Sequence, residues 1–235
     1  MEKILFPRPE HPQPMMQRKN WQNLNGEWLF EFDFGTSGAE RGLFKPEKAK
    51  EYTQKITVPF CPESELSGIG YKDLIPAVWY KRSIAITEEQ MKGRVLLHFG
   101  AVDYECDIYI NGEKAGSHFG GYSSFTLDIT DFLNIGENDL TVNARDNVRS
   151  GKQPKGKQSS AFYSQGCDYT RTTGIWQTVW LEYVPAGYIK TAKYYADIEE
   201  AAFDIELTLS LGGRLTVEAL YEGKNVGGCT KEIKG

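Results

Sequence analysis

Asp168, Tyr169 and Arg171 fall within one four-residue stretch of DYTRTTGIWQTVWLE (168–182), and their types suit one kind of chemistry. An ionised carboxylate only accepts hydrogen bonds, with about four lone-pair sites. It can take two hydroxyl groups on adjacent carbons, as a sugar presents them, in short charge-assisted bonds. Tyr169 would offer its ring face to the apolar side of a pyranose, and Arg171 would fix the direction of the carboxylate. The competing account is local. Asp168 would cap its own turn, as aspartates in loops often do, and Arg171 would lie on the surface over an aromatic ring.

Other reactive side chains are poorly placed for chemistry. The three histidines (His11, His98, His118) have no metal-ligand spacing, and the four cysteines (Cys61, Cys106, Cys167, Cys229) form no CxxC pair. Neither a metal nor a cofactor is expected. Gly120-Gly121-Tyr122 lacks the lysine and the following helix of a phosphate loop, so it reads as a turn or bulge. Asp128 and Asp131 lack the alternating oxygens and glycine of a calcium loop, and they read as caps on a short turn.

The elements that must position Asp168 are strands. Tyr104, Cys106, Ile108 and Ile110 alternate with polar or half-polar neighbours, the period of a half-buried strand. Asn111-Gly112 follows at once as a hairpin signal, because both residues tolerate positive φ. The same period runs through Trp28–Phe32, Val95–Phe99, Phe125–Ile129, Leu140–Ala144 and Val179–Tyr183. Trp28, Trp79, Trp176 and Trp180 read as packing residues, the last two sharing one strand face. No long amphipathic helix is expected, and Thr87–Lys92 gives one short turn. Many short strands separated by turn residues predict an antiparallel sandwich or jelly roll. Val184-Pro185-Ala186-Gly187 interrupts the pattern, which separates a domain at 1–185 from strands at 186–235 that begin a second β domain.

Between the strands lies one long irregular segment, Asn147–Thr173, with five basic residues. Connections longer than ~12–15 residues tend to be functional or disordered. Its Gly/Ser/Lys/Gln-rich first half reads as solvated. The second half carries Phe162, Tyr163 and Tyr169, more aromatic weight than a solvated loop needs.

A net charge of −5 argues against a nucleic-acid partner. No run approaches the ~18 apolar residues of a membrane span. The N-terminus, MEKILFPRPEHPQPMM, has too short an apolar core and too many prolines for a signal peptide. Together with scattered single thiols this points to the cytoplasm.

Six blocks in order carry a resemblance: NLNGEW (23–28), VPFCPES (58–64), VWYKRSI (78–84), VDYECDIYINGEKAGSHFGGYSSFTLDITDFL (102–133), GENDLTV (136–142) and TTGIWQTVWLE (172–182). Together they resemble the N-terminal sugar-binding domain of family 2 glycoside hydrolases, the β-galactosidase and β-glucuronidase group. The resemblance implies a galactose-binding-like jelly roll, followed by an immunoglobulin-like domain and a TIM barrel. It also implies that an aspartate six residues before the glycine of a small-residue–Gly–Ile turn helps hold the terminal sugar. With Gly174 as that glycine, the position is Asp168. Thr170 stands where β-galactosidases commonly carry a bulky aromatic, and Thr173 where serine or alanine is usual.

Retaining β-glycosidases need two carboxylates ~5–5.5 Å apart. In the family both are glutamates of the barrel, and no β/α alternation exists here, so no catalytic residue is expected in this chain. Two readings follow. The chain is the non-catalytic, sugar-binding portion of a β-glycosidase, whose partners are a terminal sugar and the remaining domains; or it is a stand-alone carbohydrate-binding or protein-interaction sandwich. Homo-oligomers are compatible with either.

Overall fold

Period two governs this chain, and the computed structural model, which describes residues 6–234, shows where each alternating run finds its partner. The N-terminal stretch weighed above as a signal peptide begins outside the described residues. The chain divides into two compact units that meet between Tyr183 and Val184.

In chain order the first unit contains β1 (Trp21–Asn23), β2 (Gly26–Phe32), β3 (Gln54–Val58), β4 (Ala77–Ile86), β5 (Arg94–Phe99), β6 (Val102–Asp103), β7 (Glu105–Ile110), β8 (Glu113–Phe119), β9 (Phe125–Asp128), β10 (Gly136–Arg145), β11 (Gly174–Ile175) and β12 (Val179–Val184). A six-stranded sheet runs β3-β2-β4-β10-β7-β8, a four-stranded sheet runs β1-β12-β5-β9, and β6 and β11 pair with each other. Pairing within the larger sheet is antiparallel throughout.

The alternating apolar residues explain why the sheets stack. One cluster combines Trp28, Phe30, Tyr80, Ile108 and Val142 of the larger sheet with Val95, Leu97, Phe99, Val179 and Leu181 of the smaller. Each such side chain contributes about 1.5–3 kcal/mol on burial. The result is a β-sandwich. Asn111 and Gly112 take φ of 53° and 82°, the conformation a tight two-residue hairpin requires, and they join β7 to β8.

The tryptophans separate according to pleat. Trp28 faces the shared core. Trp79, next to Tyr80 on β4, points to the opposite face and packs with Leu43 and Tyr52. Its indole N–H donates to Asp33 Oδ2 at 3.0 Å. Trp180 also leaves the core side and stacks on His98 at 4.7 Å. Trp176 departs from the expected strand face. It lies between β11 and β12, because its indole N–H is drawn to the Gly121 carbonyl at 2.7 Å.

Helical structure among the described residues is confined to short 3-10 turns. The one expected near Thr87–Lys92 spans Gln90–Lys92. Thr87 Oγ1 accepts the Gln90 N–H at 3.3 Å there. No helix among the described residues is long and apolar enough to cross a membrane.

The second unit contains β13 (Ile189–Asp197), β14 (Ala202–Leu209), β15 (Gly213–Tyr221) and β16 (Lys224–Ile233). They form two separate antiparallel pairs, β13 with β14 and β15 with β16.

Candidate functional site

The long connection between β10 and β11 is tied down along its whole course. Its two limbs meet where the Tyr169 N–H donates to the Lys157 carbonyl and the Ser159 N–H donates to the Tyr169 carbonyl, both at 2.7 Å. The outer turn is closed by backbone groups: the Asp168 N–H donates to the Gln165 carbonyl at 2.9 Å, and the Gln165 N–H returns to the Asp168 carbonyl at 3.1 Å. The Gly/Lys/Gln-rich half, expected to be solvated, holds the buried anchors Gln158 and Ser159. Composition misled there because a buried amide or hydroxyl is indistinguishable in sequence from an exposed one.

Asp168 presents its carboxylate at the surface, with 31% of the side chain exposed, and Oδ2 accepts from Lys155 Nζ at 3.2 Å. The turn around it is therefore not held by the carboxylate. Tyr169 is 61% exposed, with its ring open to solvent.

Arg171 does not orient Asp168. It is only 3% exposed, and its guanidinium donates to the carbonyls of Ser159, Ala161 and Lys72. Those backbone acceptors capture it because a buried guanidinium must satisfy its donors internally. The cation-over-ring contact considered for Arg171 is made by Arg149, which sits 5.0 Å from the centre of Phe162. The group beside the Asp168 carboxylate is the Lys155 ammonium.

Three buried acids at the base of the loop had no clear signal in the sequence. Asp103 is fully buried and Glu63 and Asp146 nearly so. Burial pushes the Asp103 carboxyl up to about 7, reinforced by the charge of Asp146 and opposed by a hydrogen bond from Gln158. Glu63 is likewise raised to about 7 and Asp146 to about 6, in both cases chiefly by burial. The one available hint was Gly120-Gly121-Tyr122. Gly121 lies so close over Asp103 that a Cβ would collide with its carboxylate. Among the described residues no group of three His, Cys, Asp or Glu side chains is placed to hold a metal ion.

Gly174, the residue from which Asp168 was counted, has its own constraints. Its φ is +75°, and a Cβ there would strike the Tyr80 hydroxyl, which is itself buried in the sandwich core. Only glycine meets both demands at little cost. A groove of about 810 Å³ passes Tyr122, Trp176, Gln177 and Trp180 but is not lined by Asp168. The loop acid therefore stands outside this groove.

The sequence pattern described as glycosyl hydrolases family 2, sugar binding domain, matches residues 21–185. This chain belongs to that family. Among family 2 relatives, a putative beta-glucuronidase of Formosa agariphila is 35% identical over 115 residues, 49% of this chain and 13% of the relative. A beta-galactosidase of Clostridium acetobutylicum is 26% identical over 86% of this chain and 24% of its own length. The solved beta-glucuronidase of Ruminococcus gnavus in complex with N1-substituted uronic isofagomine aligns with a TM-score of 0.73 at 20% identity, covering 93% of this chain and 40% of that one. Lactobacillus rhamnosus beta-glucuronidase gives 0.74 at 19% identity, over 93% and 38%. These structural likenesses establish the fold. The chain thus spans between about one-eighth and two-fifths of the length of these family 2 proteins.

The loop presents a partly exposed carboxylate and an exposed phenol ring in consecutive positions on a hydrogen-bonded backbone. Asp168 is paired with a cation, whereas glycosidic bond cleavage by retention requires a second nearby carboxylate.

Proposed function

We propose that this chain is the non-catalytic, sugar-binding portion of a family 2 β-glycosidase acting on terminal β-galactosides or β-glucuronides. In this reading residues 1–185 are the jelly-roll domain and 186–235 the start of an immunoglobulin-like domain. The catalytic glutamates belong to a barrel outside these residues, so the chain by itself does not hydrolyse glycosides. Asp168 lends its carboxylate to the terminal sugar and Tyr169 lends its ring, while Arg171 contributes by holding the loop. A cytoplasmic location accompanies this reading, supported by four unpaired cysteines.

The observation that carries the proposal is the state of Asp168. A partly exposed carboxylate, paired through one oxygen and held on a tied loop, retains acceptor sites for vicinal hydroxyls. Fixing a sugar from one domain against catalytic groups on another turns binding energy into orientation.

The test is Asp168→Asn in the complete enzyme, assayed with nitrophenyl β-galactoside and β-glucuronide. Losing hydrogen bonds to a charged group costs about 1.5–3 kcal/mol, so kcat/KM should fall by about 10- to 100-fold on the true substrate. The unfolding midpoint should stay within ~2 °C of the parent, since the turn is closed by backbone bonds. A midpoint drop that accounts for the lost activity would assign Asp168 to the turn instead. Titrating the chain itself with the corresponding monosaccharides addresses the stand-alone module, which calls for saturable binding by these residues alone.

A further inference from the structure

Three of the hydrogen bonds that fasten the loop carrying Asp168 end on buried carboxylates. Asp146, just past β10, accepts from Gln153 Nε2 at 2.6 Å. Glu63 accepts the Thr173 N–H at 3.2 Å. Asp103, at the end of β6, accepts from Gln158 Nε2 at 2.7 Å.

The third fastening differs because it leads onward to the exposed acid. Gln158 uses both ends of its amide: Nε2 donates to Asp103, and Oε1 accepts the Thr172 N–H at 2.8 Å. Its backbone carbonyl accepts from Lys155 Nζ at 2.6 Å. The same ammonium reaches Asp168 Oδ2 at 3.2 Å. A path of hydrogen bonds, bridged covalently through Gln158 from its side-chain amide to its own carbonyl, therefore runs from a fully buried strand residue to the surface carboxylate. Gly121 closes over Asp103 without room for a side chain, and the next residue, Tyr122, donates its hydroxyl to the Lys155 carbonyl at 3.1 Å. Lys155 is thus held twice, through its ammonium and through its backbone carbonyl.

We infer that Gln158, seated on Asp103, is a positioning residue for Asp168: it fixes the Lys155 ammonium against which the sugar-facing carboxylate is held. The inference rests on the reading of Asp168 as a sugar contact. No side chain isosteric with the amide at 158 both donates to Asp103 and accepts the Thr172 N–H. Glutamate would set a carboxylate against Asp103, and methionine of similar length would leave both Asp103 Oδ2 and the Thr172 N–H without their partner.

A residue that merely stabilises the loop would lower the unfolding midpoint and act independently of Asp168. A positioning residue acts through it, and a double-mutant cycle separates the two. In the complete enzyme, kcat and KM on nitrophenyl glycosides are measured for Gln158→Met, Asp168→Asn and the double variant. Gln158→Met should lower kcat/KM by about 3- to 30-fold, and in the Asp168→Asn background it should lower it less than twofold further. Where Gln158→Met does not fold, Lys155→Met interrupts the same series at a partly exposed side chain, with Lys155→Arg as the rescue. Effects of Gln158→Met and Asp168→Asn that multiply in full, or a Gln158→Met enzyme within twofold of the parent while Asp168→Asn is impaired, would overturn the positioning role alone. An Asp168→Asn enzyme with unchanged kcat/KM would overturn the sugar-contact reading and this inference with it.

Discussion

In the first unit Val95, Leu97 and Phe99 alternate along β5 and are all fully buried. In the second, Leu215 and Val217 alternate along β15 at the same period and remain half-exposed. Phe203, Leu220 and Tyr221 there are 70%, 64% and 68% exposed. Both units form antiparallel pairs, with local register shifts in β7–β8 of the first and in both pairs of the second, so the strand pattern is realised in each. What differs is the opposing layer. In the sandwich the larger sheet supplies Trp28, Phe30 and Tyr80 to cover β5 and β12, while each pair in the second unit hydrogen-bonds only within itself. Alternation specifies a strand with an apolar face; burial of that face depends on a second sheet. A lone two-stranded ribbon is marginal in water.

The sharpest way to break this comparison is to remove a core anchor. Trp28→Ala should destabilise the first unit by about 3–5 kcal/mol, measured by urea unfolding followed through the remaining tryptophans. A loss under ~1 kcal/mol would mean that the sandwich core does not carry the stability assigned to it.

A smaller effect comes from the buried acids of the loop root. Asp103 titrates near 7 in the folded protein, above its ordinary value of 3.8. Below pH ~4 it is protonated in both states. Between ~4 and ~7 the unfolded chain releases the proton while the folded chain keeps it, so stability falls as pH rises through that window and stays lower above it. Asp103→Asn keeps an acceptor for Gln158 and removes the ionisation. Its unfolding midpoint should therefore rise relative to the parent at pH 8 and match it near pH 4, with ~2–4 °C gained per kcal/mol recovered. Calorimetry at the two pH values checks this. An unchanged difference between parent and variant across the range would show that Asp103 is ionised in the fold without cost.

The smallest effect sharpens the contrast from the other side. Phe203→Ala in this chain should change stability by less than ~0.5 kcal/mol, as expected for an exposed position. In the complete enzyme the same substitution should cost more, if its ring is covered there by further strands. Equal and small effects in both would mark Phe203 as a surface residue throughout.

The strands of the sandwich were legible because their information is local: period-two runs, and an Asn-Gly pair whose backbone freedom matches a tight hairpin. Asp168 was singled out by counting back from Gly174, and the structure adds why a glycine stands at 174, through its positive φ and the Tyr80 hydroxyl against it. Arg171 was misread and Gln158 overlooked for the opposite reason. Arg171 meets a carbonyl 99 positions away, and Gln158 meets a carboxylate 55 positions away. No short window contains either pair.

The sequence by itself thus determined the β class and the family, because periodicity, turn chemistry and ordered motifs are properties of neighbouring residues. Tertiary structure alone decided which polar side chains of the loop are buried and what they hold. A buried polar group is stable only with its partner in place, and Lys72 for Arg171 and Asp103 for Gln158 come from parts of the chain far from the loop.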